Sequence, residues 1–248
     1  MKGNKAILAA VLLSCASAFA GTEDVVPADA GKVAAFTKTL KLAYPKTKFQ
    51  KVSTSPIPGV YEVAMGRNVA YVDASGRYFM FGSLFDMEKQ EDLTERSRSE
   101  SNKVDFSSLP LDKAIKTVRG NGERVLAVFS DPDCPYCKKL EVDLAKLDNV
   151  TVYTFLMPLD SLHPNASSKA ESVWCQPDRS AAWHDLMLRG KAPAKPPKGC
   201  VTPVRETVAL GARLGITGTP FLISGNGKTM PGAADVVRLE SFIGSGKQ

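Results

Sequence analysis

Residues 125–140 read Val125-Leu-Ala-Val-Phe129-Ser-Asp-Pro-Asp-Cys134-Pro135-Tyr136-Cys137-Lys-Lys-Leu140, and this stretch decides the reading of the chain. Val125 to Phe129 is a continuous apolar run, the pattern of a strand buried on both faces. A turn follows, and Cys137, Leu140, Leu144 and Leu147 then recur at helical spacing. Cys134 is therefore expected at the first turn of a helix, where unpaired backbone N–H groups stabilise a thiolate. Cys137, three positions on and nearer the core, is expected to hold its proton more tightly. The pair reads as an attacking thiol, Cys134, and a resolving thiol, Cys137. No metal or cofactor is needed for such exchange. A half zinc site is the alternative for a Cys-x-x-Cys, but its partner should be a second closely spaced pair, and Cys175 and Cys200 are far apart.

Working outward, helical and strand patterns alternate through the second half, which argues an α/β fold. Pro110 to Val118 reads as a helix and Val150 to Met157 as a second strand. Ser167 to Trp174, Ala181 to Arg189 and Val204 to Leu214 read as helices, with Trp174 and Trp183 in their cores. A hairpin, Phe221 to Ser224 and Lys228 to Met230, turns on Gly225-Asn226-Gly227, and Ala234 to Ile243 closes the pattern as a helix. Gly218-Thr219-Pro220-Phe221 opens a strand. A proline there is often cis, which leaves Thr219 and Pro220 as a wall for an extended peptide if Cys134 lies opposite. Cys175 and Cys200 read as a structural disulfide around the loop from Lys191 to Gly199, giving roughly 3–4 kcal/mol on the chain-entropy model. The two histidines, His163 and His184, read as surface residues.

In the first half, Val33, Phe36, Leu40 and Ala43 mark a helix over Lys32 to Tyr44 that Pro45 stops. Phe49 to Val52, Val60 to Met65, Val69 to Asp73 and Tyr78 to Phe81 then read as a small antiparallel meander. One helix on one sheet is a marginal core, so the open edge is a place for a second copy of the chain. Met87 to Asp105 is charged with hardly any apolar stripe and reads as a solvent-bridging helix.

The chain has 248 residues, and its formal charge of +6 includes Lys2 and Lys5 of the first twenty residues. Those residues read as a secretory signal: the two lysines, an apolar stretch from Ala6 to Leu13, and Ala18-Phe19-Ala20 as the cleavage site, so the mature chain is expected to start at Gly21. A lipid-attachment role for Cys15 fits poorly, because a bulky Leu13 precedes Ser14. Acidic and basic residues are interleaved, which argues against nucleic acid as a partner.

Several motifs together resemble the periplasmic disulfide isomerases of the DsbC/DsbG family. They are Pro58-Gly-Val-Tyr-Glu-Val, Tyr71-Val-Asp-Ala-Ser-Gly-Arg, Asp-Pro-Asp-Cys134-Pro-Tyr-Cys137, Trp174-Cys175 and Gly218-Thr-Pro220. Pro135-Tyr136 is similar to the DsbG branch, while Gly-Thr-Pro and the Cys175/Cys200 pair are similar to DsbC, which the whole resembles more closely. The resemblance implies an α+β N-terminal dimerisation domain (21–86), a linker helix (87–108) and an α/β thioredoxin-like domain with a helical insertion (109–248), following the signal (1–20). It implies a homodimer in the periplasm that rearranges disulfides in misfolded secreted proteins. A membrane thiol reductant of the DsbD type would keep Cys134 and Cys137 reduced, Pro135 and Tyr136 would tune their potential, and Thr219 with a cis-Pro220 would border the nucleophile. Two other readings stay open: a DsbG-like reductase of sulfenylated single cysteines, and a chaperone-like module that works without thiols.

Overall fold

The computed structural model describes residues 30–244, so the signal reading, Cys15 and Gly21 lie outside the described residues. The chain begins with helix α1 (Ala30–Ala43) and a meander of β1 (Lys51–Thr54), β2 (Val60–Met65), β3 (Asn68–Asp73) and β4 (Phe79–Phe81), in that spatial order and antiparallel throughout. Phe36 and Leu40, four apart on α1, face the sheet and pack on Val63, Ala70 and Val72. The Phe36 ring stacks on Tyr61 with centroids 4.0 Å apart. Gly66 and Arg67 form the two-residue turn between β2 and β3, with Gly66 at φ 59° in the first central position, where hairpin turns of the II′ class take glycine.

The expected helix over 87–108 is much shorter. Phe85–Asp86 (β5) and Glu91–Asp92 (β6) pair as a small ribbon, and α2 occupies only Leu93–Ser101. Asp92 caps it, its carboxylate accepting from Glu95 N at 2.9 Å. Nor does α2 bridge through solvent. Leu93 and Thr94 are buried, the Thr94 hydroxyl shares a 2.6 Å hydrogen bond with Tyr71, and Ser97 donates to Glu62 at 2.6 Å. Its docking face is polar, which a search for an apolar stripe passes over.

The second half is a five-stranded sheet. Its strands are β7 (Ile115–Arg119), β8 (Arg124–Ser130), β9 (Val150–Leu156), β10 (Phe221–Ser224) and β11 (Thr229–Pro231), in the order β11-β10-β8-β9-β7. Only β8 and β9 run parallel to each other. The expected helix over Pro110–Val118 is corrected to a single 3-10 turn, Leu111–Lys113, followed by β7. Five residues of Ile-Lys-Thr-Val-Arg satisfy a period of two as well as one of 3.6, and pairing with β9 decides between them.

Helices α3 (Pro135–Leu144) and α7 (Val236–Ile243) cover one face of this sheet, packing Leu140, Leu144 and Leu239 on Leu126, Val128 and Leu222. On the other face α6 (Val204–Arg213) brings Leu210 to the layer of Ala127, Phe129, Phe155 and Ile223. β8 is thus buried on both faces, as its unbroken apolar run implies. Helices α4 (Ala166–Trp174) and α5 (Arg179–Arg189) lie between β9 and α6 in the chain and pack over the cysteine pair. Among the described residues no helix is long and apolar enough to cross a membrane.

Candidate active site

Central strand β8 ends at Ser130, and Asp131-Pro132-Asp133 turns the chain into α3. Cys134 is the N-cap residue and Pro135 the first residue of the helix, a position where its missing N–H costs nothing. Cys134 is only 5% exposed and Cys137 fully buried, and the two thiols are free. Pro135 and Tyr136 stand in solvent between them, and Pro220 is buried opposite. The Thr219–Pro220 peptide is cis, and the Cys134 thiol donates to the Thr219 carbonyl at 3.5 Å. The turn and the strand-opening loop, remote in sequence, therefore meet at Cys134.

Burial pushes the Cys137 thiol up to about 12, and the neighbouring Cys134 adds to the rise. Three groups oppose it. The Ser130 and Thr219 hydroxyls, buried without a well-formed hydrogen bond, face the sulfur, and Asp131 N donates to it at 3.4 Å.

Asp131 and His163 escape the sequence reading. Asp131 is fully buried; one carboxylate oxygen accepts from Asp133 N at 2.7 Å, and the other accepts from Leu159 N at 2.7 Å and meets His163 Nδ1 at 3.0 Å. His163 is thus no simple surface residue, but a partner of the carboxylate that braces the cysteine turn. Lys169 on α4 reaches Asp133 at 2.5 Å and ties the same turn to the helical insertion. Contacts between residues some thirty positions apart leave no periodic trace in a sequence.

Beneath the pair lies a second polar group. Glu141, one helical turn beyond Cys137 on α3, is buried and accepts from Trp183 Nε1 at 2.7 Å. Desolvation raises its carboxyl to about 7, opposed by the Trp183 hydrogen bond and the Arg119 charge. Trp183 is core, as expected, and also a donor. His184 is half-buried beside Arg119, at 3.3 Å, and burial with that cation lowers its pKa. Both histidines are therefore engaged. Cys175, at the end of α4, and Cys200 are bonded to each other with Cα atoms 6.2 Å apart, and Cys175 packs against the cluster that holds Cys134 and Cys137.

Residues 27–95 match the sequence model of the disulfide bond isomerase N-terminal domain, and residues 111–246 match that of the thioredoxin-like domain. A Bordetella parapertussis protein named as a probable thiol:disulfide interchange protein DsbC is 40% identical over 75% of this chain, a match that spans 65% of the relative's length. The Escherichia coli K12 thiol:disulfide interchange protein DsbC is 27% identical over 96% of this chain and 95% of its own. Among solved structures, a disulfide interchange protein from Neisseria gonorrhoeae superposes with a TM-score of 0.51 at 51% identity, covering 54% of this chain and 96% of that one. With the thioredoxin-like model matched over more than half of the chain, the isomerase N-terminal model over most of the remainder, and a 51% identical relative covered almost throughout, the chain belongs to the thioredoxin-like disulfide interchange proteins.

Proposed function

We propose that this protein is a periplasmic thiol–disulfide exchange enzyme that rearranges wrong disulfides through Cys134 and Cys137. The observation that carries the reading is the unequal burial of two free thiols on one helix turn. Cys134 caps α3 against the Thr219 carbonyl, while Cys137 lies wholly inside with its proton held up to about 12.

In this mechanism the Cys134 thiolate attacks one sulfur of a substrate disulfide, that S–S bond breaks, and the other substrate sulfur leaves as a thiolate. The product is a mixed disulfide. If the freed substrate thiolate attacks a different disulfide of the substrate, the thiolate that this releases attacks the substrate sulfur of the mixed disulfide, Cys134 leaves as a thiolate, electrons are conserved and the result is isomerisation. If Cys137 gives up its proton and attacks Cys134 instead, the substrate leaves reduced and the enzyme is oxidised. A thiol reductant of the DsbD type then restores it. A high Cys137 pKa slows this second exit and lengthens the life of the mixed disulfide, which favours reshuffling. Thr219 and Pro220 are the wall against which the substrate segment docks, and the exposed Pro135 and Tyr136 tune the potential. The signal reading of the first twenty residues supports the periplasmic setting.

A homodimer is the working unit in this reading. Edge strand β4 leaves Met80 and Phe81 49% and 68% exposed, and Tyr78, Phe85 and Met87 close by in the chain are exposed as well, at an edge that a second copy would cover.

The deciding experiment is reactivation of a scrambled-disulfide substrate in a mild glutathione buffer. Wild type should restore activity, Cys134→Ser should not, and Cys137→Ser should accumulate mixed disulfides visible by mass spectrometry. A second reading, reduction of sulfenylated single cysteines, is favoured by Pro135-Tyr136. It takes over if wild type leaves scrambled substrate untouched yet reduces a sulfenic acid. Activity that survives in Cys134→Ser would instead point to a thiol-independent binding module.

A further inference from the structure

Arg67 sits at the tip of the β2–β3 hairpin, on the N-terminal side of the molecule, yet its contacts are with the loop that opens β10. Its Nη1 donates to the Gly215 carbonyl at 3.3 Å, and its guanidinium lies over the Phe221 ring, 4.6 Å from the centroid. Gly215 follows the end of α6, where unsatisfied carbonyls attract a cation. Carbonyl and ring together hold a flexible side chain in one place. A guanidinium has five N–H donors, and this bond uses one of them. No carboxylate among the described residues pairs with Arg67, whereas other half-buried cations have one, as Arg124 has Glu240 and Lys169 has Asp133.

The charge lines a cavity of about 200 Å³ whose other walls include Gly218, Thr219, Pro220 and Pro231, none of them charged. Thr219 belongs both to this cavity and to the contact with Cys134, its carbonyl 3.5 Å from the sulfur. An extended peptide advances roughly 3.3 Å per residue, so a side chain one or two positions from a cysteine bound at Cys134 comes within reach of the cavity.

We propose that Arg67 is a specificity-determining residue of the exchange site: it selects substrate segments that carry a carboxylate beside the reacting cysteine. The assignment rests on the thiol-exchange reading of Cys134 and extends it to the chemistry of the substrate. The guanidinium fork matches a carboxylate in shape as well as charge, and its anchoring on Gly215 and Phe221 removes much of the entropy cost of ordering it.

The test uses the full chain, reduced, and three peptides that differ only in having Glu, Gln or Lys on both sides of one cysteine, each capped as a mixed disulfide with thionitrobenzoate. Attack of the Cys134 thiolate on the peptide sulfur forms the enzyme–peptide disulfide and releases the yellow thionitrobenzoate anion, so the second-order rate is read directly. Each rate is divided by that of free glutathione with the same peptide, which removes intrinsic differences in peptide reactivity. Wild type should prefer the Glu peptide over the Lys peptide by about fivefold or more, the factor expected of one partly exposed charge pair of about 1 kcal/mol. Arg67→Gln should bring the ratio to about one and Arg67→Glu should invert it. Arg67→Lys should retain part of it, and in wild type it should fade at about 1 M salt, where the Debye length is about 3 Å. An unchanged ratio in Arg67→Gln overturns the proposal, and so does an equal fall for all three peptides, the mark of a purely structural contact. If wild type releases no chromophore from any peptide, the exchange reading itself fails and takes this assignment with it. Equal release from all three leaves exchange standing and removes Arg67 alone.

Discussion

At the residue scale, the two groups buried along α3 set the same demand at different pH: burial holds each of them protonated above its ordinary range. Cys137 holds its proton up to about 12, against 9.0 for an ordinary thiol, because burial disfavours the thiolate. In a Cys134→Ser variant, where Cys137 is the remaining free thiol among the described residues, thiolate absorbance at 240 nm should stay flat below about pH 10. A rise near pH 9 would mean that the site is wetter than its packing implies. Glu141 carries a similar penalty at lower pH. Its folded carboxyl titrates near 7 against 4.5 when unfolded, so between those values the folded state binds the extra proton and stability falls as pH rises. Glu141→Gln keeps an acceptor for Trp183 Nε1 and removes the charge. The variant should match wild type at pH 4 and gain on it through pH 7, by on the order of 2–3 kcal/mol at pH 8. Thermal melts of both proteins across that range check the sign, and a parallel shift at all pH values would contradict it.

At the scale of single elements, α2 illustrates what pattern reading passes over. Nine residues with two buried positions have no apolar stripe, so the helix is held by its cap and by polar docking. Thr94 is the centre of that docking. Its fully buried hydroxyl meets Tyr71 at 2.6 Å and accepts from Leu84 N at 2.7 Å. Thr94→Val preserves shape but removes the acceptor of that half-buried N–H and the partner of the Tyr71 hydroxyl, and should cost about 1–3 kcal/mol, read as a lower urea midpoint. Asp92→Ala should cost about 1 kcal/mol by loss of the Glu95 N bond, seen in the same titration. β8 and α3 needed no such help. A run buried on both faces and a cap-proline start are local signals: β8 agrees with the sequence reading to within a residue and α3 starts where expected, though it ends at Leu144, short of the Leu147 that the stripe included. The stretch from Pro110 to Val118, read as a helix, was misread for the converse reason: it carries strand β7, whose backbone partner, β9, lies more than thirty residues away.

For the whole molecule, the exposed edge at β4 is the feature that a lone chain leaves unresolved. Phe81 projects from the last strand of the meander with two thirds of its surface in water, among other exposed aromatics. In a dimer joined through this edge, Phe81→Lys should bury a charge at the contact and shift the assembly toward monomer, measured by light scattering across a concentration series. Thionitrobenzoate release by Cys134 should persist, because the cysteine turn is braced within one chain by Asp131, His163 and Lys169. Scrambled-substrate reactivation should fall, since the proposed working unit is the dimer. A variant that remains dimeric would place the contact elsewhere.

The sequence by itself determined the elements whose cause is local. These are the doubly buried β8, the helix that starts at Cys134, the strands of the N-terminal meander, and two cysteine pairs of such different spacing that they carry different duties. Short-range periodicity, capping and turn chemistry encode all of these in neighbouring residues. Tertiary structure alone decided what depends on distant partners. It made 115–119 a strand, set Asp131 against His163, buried Glu141 under Trp183, and brought Arg67 across to the loop of Thr219 and Pro220. A buried polar or charged group is tolerated only where another supplies its hydrogen bond, and that partner is chosen by the fold, in three dimensions, without leaving a period in the chain.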